Sequence, residues 1–147
     1  MTRMGSVEAL ARAVASVPEL RLAVLFGSAA ALLDRADSDL DVGVLSASDG
    51  PVDLPALRVR LERETGRIVD LISLDSAPPL LRMEIARHGR VLVERDPDAW
   101  SLFRAHAMID WWDWAPTARL MHATAARRLR EEAAGGASSH CCAPGDR

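Results

Sequence analysis

Leu20-Arg21-Leu22-Ala23-Val24-Leu25-Phe26-Gly27-Ser28-Ala29, with Asp39-Leu40-Asp41 following Ser28 after ten intervening residues, is the stretch that decides the fold. The run from Leu20 to Phe26 reads as a strand that delivers Gly27 and Ser28 into a turn. A short helix from Ala29 to Leu33 leaves the turn, and a polar loop, Asp34 to Ser38, leads into a second strand from Asp39 to Leu45. Side chains two apart on a strand share a face, so Asp39 and Asp41 project together while Leu40, Val42 and Val44 face a core. Two carboxylates side by side at the start of an apolar strand repel, and desolvating them is costly. A divalent cation between them removes both problems, and hard cations such as Mg²⁺ take carboxylate oxygens together with substrate phosphates.

The turn supplies the other half of such a site. Gly27 lets the backbone bend sharply or approach a ligand closely. Free N–H groups at the start of the following helix, with the Ser28 hydroxyl, suit an anion. Read separately, Ser28 is an ordinary helix cap and Asp39 an ordinary loop-to-strand residue. Read together at this spacing, the two halves describe a nucleoside triphosphate site. Further on, Arg67 to Ser73 is a strand with Ile68, Val69, Leu71 and Ile72 on both faces, the pattern of a strand in the middle of a covered sheet. Asp70 interrupts it, and a carboxylate in such a run needs a partner. A metal shared with Asp39 and Asp41 is an economical one.

Gly27-Ser28, Asp39-Leu40-Asp41 and Asp70 together resemble the signature of the minimal nucleotidyltransferases (MNT) of the DNA polymerase β superfamily. More closely, they resemble the MNT antitoxins that pair with HEPN toxins. The resemblance covers Leu20 to Glu94, with a looser likeness in the helices on either side. It implies an α/β (α+β) nucleotidyltransferase fold: a small mixed sheet of about four strands covered by helices, with C-terminal helices. It further implies a catalytic and metal-binding triad of Asp39, Asp41 and Asp70 holding two Mg²⁺ ions. Gly27 and Ser28 become the nucleotide-binding turn, and ATP the substrate. The implied activity is that of an antitoxin transferring AMP from ATP to a hydroxyl, with tyrosine expected, of a HEPN ribonuclease toxin. Two alternatives stand beside it: an antitoxin that neutralises by binding alone, and a nucleotidyltransferase acting on an antibiotic or other small molecule. The chain departs from the family at Ala31 and Leu32, where many members carry an Arg-Gly pair, so a cation near the phosphates is missing.

The rest of the chain sets bounds on these readings. At 147 residues the expectation is one domain: a nucleotidyltransferase core over 1–95, a helical extension over 96–134 and a disordered tail over 135–147. Apolar residues make up 49% and the net charge is −3, an ordinary soluble composition with no basic field for nucleic acid. All 18 basic residues are arginine. No apolar run is long enough to span a membrane and no signal peptide opens the chain, so the expected location is the cytoplasm. Helices are expected over Ser6–Val17 with Ser6 as cap, over Leu54–Glu64 ending at Gly66, and from Ser76 to Gly89, followed by a strand from Arg90 to Glu94. His88 reads as a helix-end cation. From Asp96 to Ala134 the chain reads as helix interrupted near Pro116, with Leu102, Phe103, Ala105, Met108, Ile109 and Trp112 lining one side. Trp111, Trp112 and Trp114 read as packing or as a partner surface. His140-Cys141-Cys142 lacks the ligand spacing of a zinc site.

Overall fold

The sheet is built outward from its two most apolar strands. In the computed structural model, which describes residues 5–30, 38–47 and 50–136, β1 (Leu20–Phe26) and β2 (Leu40–Ser46) lie antiparallel, with Phe26 opposite Asp41. A third strand, β3 (Val69–Ser73), runs parallel to β2, and β4 (Arg90–Glu94) runs antiparallel to β1. The order is β3-β2-β1-β4, a mixed four-stranded sheet.

Alternation along the strands divides the core into two layers. On one face Ala23, Leu25, Leu40, Val42 and Val44 pack with α1 (Ser6–Ala15), α2 (Gly27–Ala30) and α3 (Leu54–Thr65), which contribute Leu10 and Val14, Ala29, and Leu57 and Leu61. On the other, Leu22, Val24, Leu45 and Leu74 meet α4 (Pro79–His88) through Ile85 and Ala86, and α5 (Ala99–Gly136) through Ala99, Phe103 and Ala107. Each fully buried Leu, Ile or Val contributes about 1.5–3 kcal/mol, so these layers dominate the stability. Helix ends are closed locally. The Asp53 carboxylate accepts from the Ala56 N–H at 3.1 Å, and Gly66 (φ +67°) ends α3. Arg95 donates to the carbonyls of Ala15 and Val17, tying the chain after β4 to the end of α1.

Several details differ from the sequence expectation. β3 is an edge strand rather than a middle one, and Ile68, just before it, is 64% exposed. α1 begins after Gly5, and Ser6 is its first residue rather than its cap. Gly89 ends α4 in extended conformation; its need for glycine is steric, since a Cβ there would press on the Ile85 carbonyl and on Val24. α5 runs through Pro116 without interruption. A helical proline forfeits one donor and strains one turn, and a long helix can absorb that. The buried stripe over the first turns of α5 is Ala99, Phe103 and Ala107, at intervals of four. Leu102, Ala105, Met108, Ile109 and Trp112 are exposed, so the larger apolar residues do not mark the packed side. Residues 31–37, which include Ala31 and Leu32, and 137–147, which include His140-Cys141-Cys142, lie outside the described residues.

Internal contacts divide the chain after Trp111 into two compact units. The sheet, α1 to α4 and the first turns of α5 form one. The described part of the other is the remainder of α5, with Ala115 and Ala118 buried, Leu120, Met121 and Leu129 exposed, and an Arg127–Glu131 pair along its surface. No helix among the described residues is long and apolar enough to cross a membrane.

Gly43 tests the second layer. A Cβ there would lie 3.0 Å from Leu74 Cγ and closer still to one of its methyl groups, and Leu74 is fully buried. Gly43→Ala is expected to lower stability by about 1–3 kcal/mol in chemical denaturation, as overpacking does. An unchanged midpoint would contradict this packing.

Candidate active site

The site begins where β1 ends. Gly27 takes a left-handed conformation (φ +70°) that turns the chain out of the sheet into α2. The same glycine faces Asp41: a Cβ there would sit 3.2 Å from Asp41 Cγ and overlap Oδ2. Any side chain at position 27 would therefore be strained by its φ and would displace the carboxylate. Ser28 follows on α2 and is exposed.

Register brings the next groups together. Phe26 pairs with Asp41 and Asp41 with Asp70, so one row crosses β1, β2 and β3. Directly paired residues share a face. This row lies on the face of the second core layer, at the end where β2 and β3 begin. Asp39 stands immediately before β2, exposed, two residues from Asp41. Asp41 is half-buried and Asp70 exposed. Burial, then the charge of Asp70, then that of Asp39, push the Asp41 carboxyl above the ordinary carboxylate range. The three sequence-nominated aspartates are thus within electrostatic reach of one another, with Gly27 against the middle one.

Three carboxylates gathered beside a glycine that leaves room for Asp41 suit a hard divalent cation. They do not form a closed cage, however. Among the described residues, no group of three His, Cys, Asp or Glu side chains is placed to hold one ion as it stands.

One contributor was not nominated from the sequence. Arg67 is buried (9% exposed), and its guanidinium donates to Ser38, through Nε to the carbonyl at 3.0 Å and through Nη2 to the hydroxyl at 2.8 Å. These bonds fix the residue preceding Asp39 to the residue opening the β3 segment. The available signal was an arginine heading an apolar run directly after Gly66. His88 is exposed at the end of α4, with nothing in its surroundings that singles it out. Trp112 is 73% exposed, while Trp111 and Trp114 are half-buried.

Comparison with known proteins bears on the family and the fold. The family described as polymerase beta, nucleotidyltransferase matches residues 8–98. Among solved structures, a chain of a toxin–antitoxin complex with AMP-PNP is similar over 81% of this chain and 95% of that one, with TM-score 0.65 and 24% identity. A chain of the MntA-HepT toxin–antitoxin pair is similar over 81% and 96%, with TM-score 0.62 and 21% identity. The tri-AMPylated Shewanella oneidensis HEPN toxin in complex with an MNT antitoxin contains a chain similar over 81% and 95%, with TM-score 0.62 and 22% identity. At these identities the likeness establishes the fold. No curated protein matches the chain.

The crowding of Asp41 makes a pH-dependent prediction. A carboxyl whose folded pKa is raised contributes stability below the ordinary carboxylate pKa and loses it as pH rises through the raised value. Above that raised value the ionised Asp41 carries the cost of its burial and of repulsion from Asp70 and Asp39. Asp41→Asn is expected to raise Tm at pH 7 in a metal-free buffer, and the gain should vanish as the pH falls below the carboxylate range. A gain that persisted in acid would point to a cause other than charge.

Proposed function

The chain belongs to the polymerase β nucleotidyltransferase family, and from that premise we propose that it is an antitoxin adenylyltransferase acting in the cytoplasm on a HEPN toxin. The observation that carries this reading is the row Phe26–Asp41–Asp70, with Gly27 against Asp41 and Asp39 two residues away. Asp39, Asp41 and Asp70 would hold Mg²⁺, which when bound would neutralise triphosphate charge beside these carboxylates. Ser28 and the backbone after Gly27 would bind phosphate oxygens of ATP. An acceptor hydroxyl attacks the α-phosphorus; an oxygen–phosphorus bond forms to the acceptor and the bond from that phosphorus to the bridging oxygen breaks. Pyrophosphate leaves with the electron pair, and the hydroxyl proton passes to Asp70 or to water. The products are the AMP-modified acceptor and pyrophosphate. Such chemistry is chiefly positioning and charge neutralisation, which one turn and three carboxylates can provide.

The fold neighbours, a toxin–antitoxin complex with AMP-PNP and a tri-AMPylated HEPN toxin with an MNT antitoxin, support the choice of adenylyl donor and protein acceptor. Ala31 and Leu32, where many family members carry an Arg-Gly pair, favour a second reading, in which the chain neutralises its partner by binding alone.

Intact-mass spectrometry separates the two. A HEPN toxin incubated with this chain, Mg²⁺ and ATP should gain one or more adenylyl groups. Asp39→Ala with Asp41→Ala should reduce the rate by about 1,000-fold or more, since charge neutralisation worth several kcal/mol is lost. A stable complex whose toxin mass never changes would establish the binding-only reading.

A further inference from the structure

The strand that carries Asp70 is also the open edge of the sheet. Nothing among the described residues pairs with β3 on the side away from β2. Its hydrogen bonding shows which groups face outward. Leu40 N–H donates to the Ile68 carbonyl and Leu74 N–H to the Val44 carbonyl, both at 2.9 Å. In a parallel ladder this turns the even-numbered residues toward β2 and the odd-numbered ones, Val69, Leu71 and Ser73, toward the open side. The outward Val69 N–H is taken by the Glu62 carboxylate at 3.1 Å, and the Ser73 carbonyl by the Ser76 hydroxyl at 3.3 Å. Leu71 thus presents both its N–H and its carbonyl at the centre of the edge.

An apolar groove lies beside the same position. Leu54, Pro55, Arg58 and Val59 of α3, with Leu71, line an open space of about 370 Å³. Val59 is 54% exposed, and Arg58 is turned toward Glu62 at 3.4 Å. The groove is on the first-layer face and Asp70 is on the other. A strand added to this edge would therefore put one side chain beside Asp70 and its sequence neighbour into the groove.

Resting on the adenylyltransferase reading above, we propose that the acceptor protein docks as an extended segment along β3, a fifth strand that carries the hydroxyl to be modified. Backbone pairing at Leu71 holds the segment. The residue opposite Asp70 extends the Phe26–Asp41–Asp70 row with its Cβ about 5 Å from that of Asp70, which brings a hydroxyl side chain beside that carboxylate. The adjacent residue is apolar and enters the groove beside Val59 and Leu71. Specificity in this mode comes from main-chain bonds plus alternate side chains, as in other strand additions. The occupant is an extended acceptor segment because the edge is continuous with the aspartate row: whatever pairs there is delivered to the site. A bare edge blunted only by the charge of Asp70 is the competing account.

A synthetic peptide library tests this, each member holding a single Tyr, Ser or Thr among randomised neighbours and incubated with the full chain, Mg²⁺ and α-labelled ATP. Labelling should favour an apolar residue immediately next to the hydroxyl residue. For the best peptide, Val59→Glu and Leu71→Pro should raise KM tenfold or more with a smaller change in kcat and unchanged affinity for an ATP analogue. Proline at 71 removes the outward donor but also the Leu71 side chain packed on the first core layer, so should that variant fail to fold, Val59→Glu carries the test. Hydrogen exchange at the Leu71 amide should slow when the peptide is bound. Labelling without neighbour preference, an unchanged KM in folded variants, or an unprotected Leu71 amide would overturn the proposal. So would a protein that adenylylates a whole toxin yet no peptide. A protein that labels neither would instead fail the adenylyltransferase reading itself.

Discussion

The repulsion at Asp41 is the constraint from which the rest of this structure takes its sense. A half-buried carboxylate at the head of an apolar strand is flanked by two more, and burial first, then the charges of Asp70 and Asp39, raise its proton affinity. Such an arrangement opposes folding unless something of opposite charge is bound. The chain nevertheless keeps it accessible, and Gly27, with φ +70° and no Cβ, leaves Asp41 room. Concentrated negative charge at the end of a rigid sheet is a poor device for stability and a good one for holding a cation with a polyphosphate.

The scaffold serves to hold this charge in place. Leu40, Val42 and Val44 anchor β2 in one core layer, and the ladder to β3 fixes Asp70 beside Asp41. Arg67 ties Ser38 down on the other side, so the backbone entering Asp39 is held by a buried guanidinium. These are local, short-range ties between adjacent strands, and they leave the β3 edge and its neighbouring groove open to a partner.

Much of this was legible in the sequence where a single period governed the outcome. The two-residue repeat of a strand puts Leu40, Val42 and Val44 in one core layer and Asp41 on the other face, while Asp39, expected as the first residue of the strand, stands just before it. The four-stranded mixed sheet followed from the family resemblance. Asp70 was nominated on the ground that it lay in a strand apolar on both faces. The strand is in fact at the edge and Asp70 is exposed, so proximity to Asp41, not burial, is what relates it to the site. Apolar residues can also be apolar without being packed, as Ile68 and Ile109 are. In α5 the size of Leu102, Met108 and Trp112 drew the stripe to the wrong side, whereas the packed side uses two alanines and Phe103 to let the helix approach the sheet. Arg67 carries only a weak signal, an arginine heading an apolar run after Gly66, because a buried arginine reveals its role through the partner that folding brings to it.

The most direct measurement of the central claim is calorimetric titration of the whole chain with a non-hydrolysable ATP analogue, with and without Mg²⁺. The wild-type chain is expected to bind the analogue tightly only when Mg²⁺ is present. The variant carrying Asp39→Asn, Asp41→Asn and Asp70→Asn should lose that dependence on the cation while keeping its fold. Binding that is equally strong in the variant, or indifferent to Mg²⁺ in the wild type, would contradict the assignment of these three carboxylates to a metal–nucleotide site.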